Sequence, residues 1–126
     1  MDIQSKNNEM PLALIVEDED LLVELFAVAF EEAGYKTETA RDGKQALELL
    51  EKLTPHIVLL DIHLPYVSGE EVFHEMKKNE RLAETKIIMA TADVRKAKEM
   101  EGKADMVLVK PVGFKVLNAL IEDMRP

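Results

Sequence analysis

Five polar residues stand directly behind apolar runs, and their types converge on one chemistry. Glu17 and Asp18 close "LALIVED", Asp61 closes "HIVLLD", Thr91 closes "KIIMAT" and Lys110 closes "MVLVK". If those runs are strands of one parallel sheet, their carboxyl ends share one rim, where ligands bind in open α/β sheets. Two carboxylates about 4 Å apart repel by roughly 4 kcal/mol at an effective dielectric near 20. Three on one rim therefore call for compensating positive charge. Lys110 supplies one unit, and an all-oxygen donor set with retained waters suits Mg²⁺ for the rest. Each residue also has an ordinary reading. Asp20 is expected as the N-cap ahead of Leu21 and Leu22, Thr91 alone is a plausible cap, and Lys110 alone is a solvated lysine. The joint pattern carries the chemical reading.

The elements that must position these groups follow from periodicity. Leu12–Glu17, His56–Ile62, Lys86–Ala92 and Met106–Lys110 are short, Val- and Ile-rich and continuously apolar, as strands covered on both faces are. Tyr35–Ala40, "YKTETA", is more polar and alternates, which predicts an edge strand. Helical stripes fall between. The first holds Leu22, Leu25, Phe26, Ala29, Phe30 and Ala33 and stops at Gly34; the second holds Ala46, Leu47, Leu49, Leu50 and Leu53 ahead of Pro55. The third, Val72, Phe73 and Met76, is opened by Ser68; the fourth, "DVRKAKEMEGK", is short and polar. The fifth carries Phe114, Leu117, Leu120, Ile121 and Met124. Strands alternating with helices predict an α/β domain: a flavodoxin-like three-layer sandwich whose five-stranded parallel sheet has order 2-1-3-4-5, with five helices. That order puts the polar second strand at an edge. In the turn "LPYVSG", Pro65 fixes φ and Gly69 is expected to supply a backbone conformation that other residues resist.

Bulk properties narrow the function classes. The 126 residues make one domain, with a polar N-terminal tail over 1–10 and the folded unit over 11–126. There are no cysteines, so disulfides and thiolate zinc sites are excluded. His56, His63 and His74 lack metal-ligand spacing. A net charge of -9 argues against nucleic acid or an anionic membrane as a direct partner. Without an apolar run near the ~20 residues of a membrane span, or a signal core, the expectation is cytoplasmic.

In this order and at this spacing the motifs "IVEDE", "LLDIHLPYVSG", "IIMATA" and "LVKP" strongly resemble the receiver domain of two-component response regulators, chemotaxis regulators included. The likeness covers Leu12 to Met124. It implies that Asp61 is the phosphoacceptor and that Asp18, Asp61 and the main-chain carbonyl of His63 hold Mg²⁺, with Glu17 assisting through water. It further implies that Thr91 and Lys110 contact the phosphoryl oxygens and that the Lys110–Pro111 bond is cis. His63 and Asp93 would flank the path of attacking water. Implied partners are a sensor histidine kinase or phosphotransfer protein, a downstream protein target and a second copy of the chain. The implied protein is a phosphoacceptor that promotes its own phosphorylation and slow dephosphorylation, not a turnover enzyme. Because the chain closes at Pro126 after the fifth stripe, either a stand-alone receiver or a domain of a longer regulator is expected.

Two positions and one spacing depart from the family pattern. Val107 stands where a Tyr or Phe is usual, Val112 where a Phe often follows "KP", and the Thr91–Lys110 interval is shortened. They leave a pseudo-receiver, binding partners without phosphorylation, as the alternative. A haloacid-dehalogenase-type hydrolase wants a second carboxylate two residues after its nucleophile, where this chain has His63. A Rossmann nucleotide site fails because "VEDEDLL" lacks glycine.

Overall fold

The structure, a computed structural model, describes residues 10–126. Residues 1–9, nearly all of the expected N-terminal tail, lie outside the described residues. Five parallel strands form one sheet in the order β2-β1-β3-β4-β5: β1 (Leu12–Val16), β2 (Lys36–Ala40), β3 (Ile57–Asp61), β4 (Lys86–Thr91) and β5 (Met106–Val109). Five helices connect them: α1 (Asp20–Glu32), α2 (Gly43–Lys52), α3 (Gly69–Lys78), α4 (Val94–Met100) and α5 (Phe114–Asp123). This is the flavodoxin-like sandwich expected from the alternating pattern. A 3₁₀ turn, Glu80–Leu82, follows α3.

The apolar runs are continuous because successive residues point to opposite, equally covered faces. Leu14, Val16, Val58, Leu60, Ile87 and Met89 pack with Ala46 and Leu50 of α2, Val72, Phe73 and Met76 of α3, and Met100 of α4. Ala13, Ile15, Ile57, Leu59, Ile88 and Ala90 pack on the other side with Phe26, Ala29 and Phe30 of α1 and Leu117 and Ile121 of α5. Tyr35 is buried there, its ring edge-on to Phe30, and its hydroxyl donates to the Ile121 carbonyl at 2.9 Å. The edge strand β2 alternates between exposed and covered positions, as its mixed composition requires.

Two local expectations are corrected. Asp20 does not cap α1. The Glu17 carboxylate accepts the Glu19 amide at 3.2 Å, which turns the chain early and makes Glu19 the N-cap residue, without a side-chain cap bond. Asp20 is instead the first helical residue, favourable beside the positive helix end, and pairs with Arg41. In the β3–α3 turn the left-handed residue is Tyr66, with φ of 68°, not Gly69. Gly69 is required for space: a Cβ there would sit 2.0 Å from the Asp61 carbonyl oxygen.

Candidate functional site

Each chemical residue occupies the carboxyl end of its strand. Glu17 and Asp18 follow β1, Asp61 and Thr91 are the last residues of β3 and β4, and Lys110 follows β5. Parallel registers align these ends: Val16 lies opposite Leu60, Asp61 opposite Ala90, and Thr91 opposite Val109. The close approach at Gly69 holds the turn after β3 against the Asp61 backbone, reinforced by the Gly69 amide donating to the Ile62 carbonyl at 2.9 Å.

Lys110 is the hub. Its Nζ donates to Glu17 Oε1 at 2.7 Å and to Asp61 Oδ2 at 3.2 Å. The Lys110, Asp61 and Glu17 side chains are 14%, 7% and 1% exposed, so these are nearly dry ion pairs in which Asp61 still reaches the surface. The second Asp61 oxygen, Oδ1, accepts the His63 amide at 3.2 Å. Asp18 is exposed, unlike its neighbour Glu17. The Lys110–Pro111 bond is cis.

Burial raises the Glu17 carboxyl above its ordinary range; the Lys110 hydrogen bond opposes that and the Asp61 charge adds to it. Burial alone would lower Lys110, but the Glu17 hydrogen bond and the two nearby carboxylates outweigh it and raise the ammonium. One lysine therefore does not neutralise the rim. Carboxylate oxygens of Glu17, Asp18 and Asp61 all lie within 4.8 Å of one another. Hard anionic oxygens that close, with a single ammonium between two of them, fit a hard divalent cation in both charge and donor type.

Thr91 is buried, and its hydroxyl oxygen accepts the Asp93 amide at 3.0 Å. Asp93, expected beside a water path, caps α4: one carboxylate oxygen accepts from Arg95 and Lys96 amides at 3.0 and 3.2 Å. Beside Asp18 the rim opens into a cavity of about 510 Å³ walled by His63, Leu64, Pro65, Glu70 and Lys96. Nothing in the sequence pattern marks Glu70 and Lys96 as a pair. They are 26 residues apart, and the fold brings the first turns of α3 and α4 close enough to set Lys96 Nζ 3.2 Å from Glu70 Oε1.

Over residues 13–122 the chain matches the response regulator receiver domain. It belongs to that family. The receiver domain is 37% identical over 102 residues to the polar-differentiation response regulator DivK of Brucella ovis, covering 79% of this chain and 83% of DivK. It superposes on the chemotaxis response regulator CheY4 of Vibrio cholerae with a TM-score of 0.83 at 27% identity, over 92% of this chain and 99% of that one. The receiver domain of a signal transduction histidine kinase from Syntrophus aciditrophicus gives 0.80 at 28% identity, over 90% and 89%. Among the described residues of this receiver domain, no helix is long and apolar enough to cross a membrane.

Proposed function

We propose that this receiver domain is a phosphoacceptor switch in which Asp61 takes a phosphoryl group from a phosphohistidine of a sensor histidine kinase or phosphotransfer protein. The observation that carries the reading is Lys110 bonded to both Glu17 and Asp61 within an acid cluster compact enough for a divalent cation. Asp18, Asp61 and the His63 carbonyl are the ligands we assign to Mg²⁺, with Glu17 assisting through water. When bound, that ion supplies charge neutralisation for an anionic nucleophile facing an anionic phosphoryl group.

An Asp61 oxygen bonds to phosphorus as the P–N bond to the donor breaks, and the electron pair leaves with the imidazole. Catalysis is positioning and electrostatics. Lys110 moves from Asp61 onto a phosphoryl oxygen, and Thr91 turns its hydroxyl proton toward another while its oxygen keeps the Asp93 amide. That shift biases two packings of the domain. Water later hydrolyses the acyl phosphate, so the protein acts slowly on itself and is not a turnover enzyme. We assign the output to a downstream protein or a second copy of the chain, in the cytoplasm, since a net charge of -9 opposes nucleic acid and anionic lipid.

Val107, half-buried against the core face covered by α2, α3 and α4, brings no aromatic ring to β5. It supports the alternative, a pseudo-receiver that binds partners without phosphorylation. Incubation with Mg²⁺ and a small phosphodonor followed by intact mass measurement separates the two. One added phosphoryl group, lost in Asp61→Asn and on chelation, is expected; an unchanged wild-type mass favours the pseudo-receiver.

A further inference from the structure

In-line displacement puts the leaving group on the far side of phosphorus from the attacking oxygen, outside the acid cluster. A cavity adjoins the cluster, with Asp18 lining both, and offers a leaving group room. Leu64 and Pro65 give it an apolar wall suited to a small organic group, whereas Asp18 and Glu70 would repel an anion leaving through it. Lys110 is engaged deeper, on Glu17 and Asp61. Among the described residues lining the cavity, Lys96 is the one ammonium, 35% exposed and held by Glu70 at 3.2 Å and Glu99 at 3.8 Å. Its backbone is fixed because Asp93 accepts its amide at 3.2 Å, while its four-carbon stem can swing.

Resting on the phosphoacceptor reading above, the geometry points to Lys96 as a donor-selecting residue. Its ammonium leaves Glu70 and receives the departing carboxylate of an acyl phosphate, favouring such donors over phosphoramidates. With an acyl phosphate the Asp61 oxygen–phosphorus bond forms as the phosphorus–acyl oxygen bond breaks. The electron pair departs on the carboxylate, and no proton moves. With phosphoramidate the protonated nitrogen keeps its hydrogens, takes the electron pair and leaves as neutral ammonia, so Lys96 has no charge to meet.

The test runs the full chain with Mg²⁺ against acetyl phosphate and phosphoramidate in parallel, following intact mass over time. Lys96→Gln is expected to lower the ratio of the acetyl phosphate rate to the phosphoramidate rate about fivefold, the size of one partly exposed charge pair. Lys96→Arg restores most of the ratio, and Glu70→Gln, which removes the nearer of the two carboxylates holding Lys96, raises it about threefold by the same reckoning. A ratio unmoved by Lys96→Gln and Glu70→Gln, with the wild type phosphorylated, overturns the role of Lys96 alone. A wild type untouched by both donors overturns the phosphoacceptor reading and this inference with it.

Discussion

β3 and β5 end on the same rim but are built differently. All five residues of β3 are buried between β1 and β4. β5 is an edge strand paired only with β4; three of its residues are partly exposed and Val109 is exposed. β3 delivers Asp61, whose short side chain must be placed by the backbone itself. β5 precedes Lys110, whose long stem spans the last ångströms to Glu17 and Asp61. Two of the family departures, Val107 and Val112, lie on or just after the strand that needs less precision. Burial is concentrated where side-chain reach cannot correct an error.

The comparison breaks most severely at Gly69. In Gly69→Ala the new methyl meets the Asp61 carbonyl oxygen at 2.0 Å, so the turn or the end of β3 must move. A loss of about 4 kcal/mol in urea unfolding is expected, together with loss of phosphorylation; a loss below 1 kcal/mol would show that this approach is not needed. Next come matched truncations. Val58→Ala in β3 should cost about 2 kcal/mol and Val107→Ala in β5 about 1 kcal/mol. Equal costs would remove the distinction between the strands.

Glu17 tests the electrostatics of the rim. Burial disfavours its charged form, so the folded carboxyl titrates above the unfolded value of 4.5. Its contribution to stability is therefore greatest below the unfolded value and is lost as pH rises through the folded one. In chelator, Glu17→Gln should be more stable than wild type at neutral pH, with the gap closing in acid. Lys110 acts at the opposite end: its stabilisation is present below 10.5 and fades as pH climbs through the raised folded value. A gap independent of pH would contradict the Glu17 assignment. The smallest effect is expected from Val107→Tyr, which adds the ring the family usually carries. Phosphorylation should stay within about twofold of wild type, since substitutions outside such a site usually act weakly. A larger change would mean that β5 controls the chemistry.

Much of this arrangement was legible in the sequence because buried parallel strands write themselves as continuous apolar runs, and a charge ending such a run marks its rim. Strand ends were therefore readable within a residue. What escaped depended on contacts between segments. Asp20 has the right type for a cap, but the Glu17 carboxylate on the Glu19 amide decides where α1 starts. Gly69 invites a dihedral explanation, while the actual constraint is a carbonyl eight residues earlier. Tyr66, 88% exposed and left-handed, breaks the usual preference for glycine or asparagine without any local warning. The pairing of Glu70 with Lys96 joins the first turns of two helices that are separate in the sequence.

The two oxygens of Asp61 are not interchangeable. One accepts a backbone amide from His63 and the other accepts the Lys110 ammonium. Flipping the carboxylate about its terminal torsion would sacrifice both bonds before remaking them. The group therefore carries a distinction between left and right before any ligand arrives, and a covalent adduct formed there would be regiospecific by inheritance from the main chain.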